Sequence, residues 1–142
     1  MNLRAAQVRI YVDADLLGLG KILAVLRNDM TYPGDPGAVI HKRQRAPCPI
    51  TSPNVRDTDW IPQVASRGWL IITRDSMIIQ NRNEIAAVRE NNAKMVALNQ
   101  RDAQTKWGQL ELFMTQWRRI EALTSEPGPF ILNRSGALRA GY

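Results

Sequence analysis

The chain has 142 residues, 44% of them hydrophobic and 23% charged, which is one domain's length in a globular composition. That excludes disordered, collagen-like and disulfide-scaffold classes. Nineteen Lys and Arg against thirteen Asp and Glu give a net charge of +6, which favours a polyanionic partner.

Residues 8 to 12 (VRIYV) alternate β-prone side chains, and LLGLGKILAVLRN then places apolar residues at 16, 19, 22, 23 and 26, a helical spacing. A strand therefore runs into a helix, with Gly18 and Gly20 read as points of close helix packing. Residues 29 to 56 carry Pro33, Gly34, Pro36, Gly37, Pro47, Pro49 and Pro53, so loop is expected there, with AVIHK (38 to 42) as the one strand. The run from His41 to Arg56 holds Lys42, Arg43, Arg45 and Arg56 with no acid between them.

DTDWIPQVASRGW (57 to 69) opens on capping-type residues and meets Gly68 near its end, as a short helix does. WLIIT (69 to 73) is a continuous apolar run of the kind a strand buried on both faces shows, and it ends in Arg74 and Asp75. A helix is expected over 78 to 92, a second buried strand over 94 to 99 (KMVALN), and one long helix over 104 to 125. On that last helix Trp107, Leu110, Met114 and Trp117 form a stripe, with Phe113, Ile120 and Leu123 beside it, that reads as core or as a face for a partner helix. In the tail, 126 to 142, FIL is an expected edge strand and the last residues are expected to be flexible.

Strands alternating with helices predict a single α/β domain over residues 1 to 125, with a mostly parallel central sheet and helices on both faces. No run approaches the ~18 apolar residues of a membrane span, and the N-terminus lacks the features of a signal peptide, so no membrane contact and a cytoplasmic location are expected.

Ligands of such sheets bind beyond the carboxyl ends of the strands. Asp13 and Asp15 follow the first strand, Asp75 follows WLIIT, and Asp57 and Asp59 open the helix leading into that strand. Each acid alone reads as a helix cap; at one sheet edge together they read as a site. Cys48 and His41 are single, which excludes an internal disulfide, a structural zinc site and two-histidine chemistry. Carboxylates remain as the acid/base and metal-ligating groups, so a metal would be oxygen-bound Mg2+ or Mn2+. Convergent carboxylates repel unless a cation sits among them, and a cation-bound water is a nucleophile for phosphodiesters. In this reading Asp13 and Asp75 hold the metal, with Asp15 beside them, and Asp57 or Asp59 completes the site or orients the water. Lys42, Arg43, Arg45 and Arg74 grip the phosphates of a polyanionic substrate.

VRIYVDADL resembles the first motif of PIN-domain ribonucleases, an apolar strand ending in Asp-x-Asn, Asp-x-Ser or Asp-x-Asp. DTDWIPQVASRGWLIITRD resembles the acid, short helix, strand and Thr-Arg-Asp ending of the PIN-like subgroup akin to VapC-type toxins. The likeness covers roughly residues 8 to 100. It implies a PIN-like, metal-dependent endoribonuclease, usually the toxin of a toxin and antitoxin pair and often a homodimer, using Mg2+ or Mn2+ held by three or four acids. On this chain Asp13 matches the first-strand acid, Asp15 the second polar position, Asp57 or Asp59 the middle acid, and Asp75 the acid of the Thr-Arg-Asp motif. The family's further acid has Met77 and Asn81 near its place, with Glu84 as the candidate on the following helix. The basic loop and the C-terminal helix have no clear family counterpart, and are expected to serve RNA or an antitoxin.

Two other readings compete. One is a non-catalytic PIN-like module that binds RNA or a protein through the basic loop and the Trp-bearing helix. The other takes Asp13 and Asp15 as the nucleophile and general acid of a haloacid-dehalogenase-like phosphatase, for which the hydroxyl-bearing turn and the downstream lysine and acid pair are missing.

Overall fold

The structure, a computed structural model, describes residues 3–75, 82–126, 130–133 and 136–139. Its centre is formed by three parallel strands, β2 (Ile10–Val12), β6 (Leu70–Asp75) and β7 (Lys94–Asn99), numbered after a short β1 (Arg4–Ala5). β3 (Met30–Thr31) flanks β2 on one side, and β8 (Phe130–Asn133) and β9 (Gly136–Arg139) follow β7 on the other. The sheet order is β3-β2-β6-β7-β8-β9, parallel except for β9, which runs antiparallel to β8.

The two-residue period of these strands sorts their side chains onto two cores. Ile10, Val12, Leu70, Ile72, Val96 and Leu98 pack on one face. They meet Leu19 and Leu23 of α1 (Leu17–Leu26), Leu112 and Phe113 of α4 (Lys106–Thr115), and Ile120 and Leu123 of α5 (Trp117–Leu123). Tyr11, Ile71, Met95 and Ala97 face the other way, against Trp60, Ile61 and Val64 of α2 (Asp57–Ser66) and Ala87 and Val88 of α3 (Arg82–Glu90). Helices thus cover both faces, as the buried runs of β6 and β7 require. A Cβ at Gly20 would stand 3.1 Å from Tyr32 Cβ and 3.2 Å from Val12 Cβ, so this glycine lets α1 lie close on the sheet.

From β2 the chain passes through α1 to β3 on one side, and it later re-enters the sheet as β6 on the other side of β2. The C-terminal ends of β2 and β6 therefore flank a topological switch point, where open α/β sheets leave a crevice.

Several expectations change. The loop of 29 to 56 contains a hairpin, β4 (Ala38–Ile40) and β5 (Arg43–Arg45), whose two-residue turn puts His41 and Lys42 at positive φ, 53° and 63°. β1 joins β5 in this small sheet. The long helix of 104 to 125 breaks at Gln116, just after Thr115 turns its hydroxyl onto the carbonyls of Glu111 and Leu112. Its core face is Leu112, Phe113, Ile120 and Leu123, while Trp107 (76% exposed) and Met114 (60% exposed) of the expected stripe stand in solvent. The FIL strand is not an edge: β8 lies between β7 and β9. The helix expected over 78 to 92 is described from Arg82; residues 76 to 81 lie outside the described residues.

Candidate active site

Asp13 is the first residue beyond β2. Its backbone N–H still donates to Ile72 O across the strand pair (2.9 Å), while its Oδ1 accepts from Ala14 N (2.6 Å) and caps the 3-10 turn Ala14–Leu16. Capping consumes only part of this carboxylate: the Thr73 hydroxyl, from β6, stands 3.3 Å from its Oδ2. The same hydroxyl is 3.0 Å from Asp15 Oδ2, which also accepts from Arg74 N at 3.1 Å. Thr73 has one proton for two carboxylates, so it links β6 to both acids of the turn without satisfying both at once.

α2 brings the next acid. Asp57 sits in its first turn, and Trp60, one turn on, donates its indole N–H to Asp57 Oδ1 at 2.9 Å. Trp60 is in turn held against Tyr11 of β2, ring centres 5.0 Å apart. From α3, Glu84 reaches the same space. Asp13, Asp15, Asp57, Glu84, Thr73 and Arg74 all line one cavity of about 300 Å3 at the switch point.

The electrostatics follow from enclosing like charges. Burial, and next the charge of Asp15, push Asp13 up to about 7. Burial, with Asp57 and Asp15 nearby, pushes Glu84 to about 7 as well. Asp15 is exposed as a residue, yet enclosure of its carboxylate raises it too, against the hydrogen bonds from Arg74 N and Thr73 that favour its charged form.

The other expected site residues are distributed differently. Asp59 is exposed and ion-pairs with Arg56 at 3.6 Å, away from the cavity lining. Two residues along a helix are about 200° apart around its axis, so Asp57 and Asp59 cannot share a face, and of the two only Asp57 lines the cavity. Asp75 ends β6 in register with Asn99 of β7; its side chain lies outside the described residues. Arg74 lines the cavity. Arg45 does not belong with the phosphate-gripping residues: it is 3% exposed and ion-paired with buried Asp35 at 2.7 Å. Its other nitrogens donate to Asp35 Oδ1, Ala24 O and Asn28 Oδ1. Lys42 and Arg43 are exposed, but Asn28, just before β3, donates to Ile40 O and Arg43 O and holds their hairpin at the N-terminal end of the strands. They sit at the opposite sheet edge from the acids.

Three contributors went unassigned in the sequence: the Thr73 hydroxyl, the Trp60 indole and Tyr11. The i,i+3 spacing of Asp57 and Trp60 in a helix's first turn was the available signal for one of them.

A family model described as a PIN-like domain matches residues 9–100. The chain belongs to the PIN-like domain family. PIN-like domains are commonly nucleases. The match spans β2 to β7 and so includes each acid of the cavity, and the phosphatase reading of Asp13 and Asp15 falls away with it. Searches of curated proteins and of solved structures returned no match. No helix among the described residues is long and apolar enough to cross a membrane.

The acids fit a hard divalent cation by donor chemistry: they are oxygen ligands in one enclosed space, two of them raised to about 7 by burial and by the neighbouring carboxylates. Among the described residues, however, no three acid, histidine or cysteine side chains form a group that could hold a metal ion as placed. A complete ligand set therefore calls for rotation of these side chains, for Asp75, or for both.

Proposed function

We propose that this protein is a metal-dependent endoribonuclease that hydrolyses RNA phosphodiesters, and that it is the toxin of a toxin and antitoxin pair akin to the VapC-type proteins. The observation that carries this reading is the convergence of Asp13, Asp15, Asp57 and Glu84 on one cavity at the switch point of a PIN-like fold. Asp13, Asp15, Asp57 and Asp75 would hold Mg2+ or Mn2+. Bound there, the ion supplies a more acidic water and neutralises charge on the scissile phosphate.

The chain's own residues do the rest. Thr73 and the Arg74 amide fix the Asp15 carboxylate, and the Ala14 amide fixes that of Asp13. Trp60 holds Asp57 toward the same space. The Arg74 guanidinium, at the cavity wall, offers a phosphate contact. For the antitoxin, or for a second copy of the chain, an apolar groove of about 210 Å3 lies between α1 and the α4/α5 pair, lined by Leu23, Leu26, Phe113, Met114 and Trp117.

The test is cleavage of end-labelled RNA in Mn2+ and in EDTA, by the native protein and by Asp13→Asn and Asp75→Asn. Cleavage that needs Mn2+ and is lost in both variants, with circular dichroism retained, supports the reading; undiminished cleavage in both overturns it. Growth arrest on induction, lost in Asp75→Asn, tests the toxin assignment. The spread of the acids favours one second reading, a PIN-like module that binds RNA without cutting it. Calorimetric titration with Mn2+ separates the two, since a pure binding module takes up no metal through its carboxylates.

A further inference from the structure

Gly18 lies in the first turn of α1, three residues beyond Asp15. A Cβ built there would meet Lys106, standing 2.8 Å from its Cε, 3.2 Å from its Cδ and 3.3 Å from its Nζ, and these are its three nearest neighbours. The lysine stem therefore lies in the gap that the missing methyl leaves. Lys106 is exposed and begins α4, where Thr105 caps the helix by accepting from Gly108 N at 2.9 Å.

The chain reaches this position by a tight return. After β7 ends at Asn99, the amides of Asp102 and Ala103 donate to Asn99 O and that of Arg101 to Asn99 Oδ1. The turn keeps the start of α4 at the C-terminal edge of the sheet, the edge of the acid cavity. With a rise of about 1.5 Å per residue, Gly18 is only about 5 Å along the chain from Asp15. Among the described residues Lys106 has no ion pair, while Lys42, Arg43 and Arg45 are either at the far edge or buried.

Neither Gly18 nor Lys106 lines the cavity itself; Asp15, three residues before Gly18, does. We propose that Lys106, seated across Gly18 beside the Asp15 turn at the same sheet edge, contacts a backbone phosphate of the RNA strand that extends past the cavity, and that residue 18 is glycine to make that seat. The inference rests on the ribonuclease reading and names the cation that replaces the hairpin lysine and arginines in it. An ammonium on a flexible stem suits a sequence-independent phosphate contact. Gly18 also separates seat from stability: alanine is the better helix former, and the atoms it would displace are the far end of a flexible side chain.

The experiment measures KM and kcat for cleavage of a single-stranded oligoribonucleotide in Mn2+. It also measures anisotropy of the same labelled RNA against salt, in an Asp75→Asn background. Lys106→Gln is expected to raise KM about five- to tenfold with kcat within about twofold, and to lower the salt slope by about 0.7, the value of one phosphate contact on a single strand. Gly18→Ala is expected to raise KM while its melting temperature holds or rises, and Lys106→Arg to restore native KM. If the native protein cleaves RNA but Lys106→Gln and Gly18→Ala match it in KM and salt slope, the seat is refuted and the nuclease reading stands. If the native protein neither binds nor cleaves RNA, both fall.

Discussion

Replacing Asp13 by Asn tests directly whether the cavity stores electrostatic strain. Asn keeps the shape, still offers an oxygen to Ala14 N, and is an equally good cap. What disappears is a negative charge on a residue only 9% exposed. Burial and Asp15 raise this carboxyl to about 7, so between roughly pH 4 and pH 7 the folded protein keeps a proton that the unfolded chain has released. Stability is therefore fullest below the ordinary aspartate range, falls as pH rises to about 7, and levels off above it. Relative to acid, the raised carboxyl costs the fold about 2 kcal/mol at pH 5, where it holds a proton the unfolded chain has lost, and about 4 kcal/mol at pH 8, where it ionises, which leaves about 2–3 kcal/mol between the two conditions. For a chain of this size that is on the order of 5–10 °C in melting temperature. Thermal unfolding by circular dichroism in EDTA, from pH 5 to pH 8, should show the native protein losing that much more than Asp13→Asn, with the variant the more stable at pH 8. Mn2+ at pH 8 should recover part of the loss in the native protein alone. Parallel pH profiles for the two proteins would refute the reasoning.

The geometry sets further expectations. Asp57→Asn should cut RNA cleavage by more than about 100-fold while Asp59→Asn stays within about twofold, because only Asp57 faces the cavity; comparable losses in both would contradict that assignment. Trp60→Phe keeps the ring against Tyr11 but removes the indole N–H from Asp57, and should weaken Mn2+ affinity or turnover about tenfold, read by calorimetry and rate. Arg45→Ala strands the buried Asp35 carboxylate and should destabilise by about 3–5 kcal/mol in urea unfolding. Arg43→Ala, on the exposed hairpin, should shift stability by less than about 0.5 kcal/mol.

The alternation of buried runs with helical spacings was enough to read an α/β domain and to place β6, β7, α1 and α2 within a few residues, because those periods are local properties of the chain. The acids after the strands were legible for the same reason: a residue just beyond a parallel strand must emerge at the sheet's C-terminal edge wherever the strand sits. The Thr-Arg-Asp ending and the Asp-x-Asp of the first motif carried the family. What the local pattern could not carry was partnership between distant residues. Arg45 and Arg43 are alike in sequence, and only the fold makes one the mate of Asp35 and leaves the other in solvent. Asp57 was separated from Asp59 by the direction in which α2 meets the sheet, and Glu84 was drawn to the cavity by the packing of α3 beside α2. Trp107 and Met114 of the expected stripe stand in solvent because α4, before the break at Gln116, turns Leu112 and Phe113 to the core instead. Gly18 read as a packing glycine, and it became a seat for Lys106 because α4, eighty-odd residues later, begins over it. By itself the sequence determined which residues are acids at strand ends and which segments are buried. The tertiary structure decided which of those acids share one desolvated space, since that depends on contacts no local period encodes.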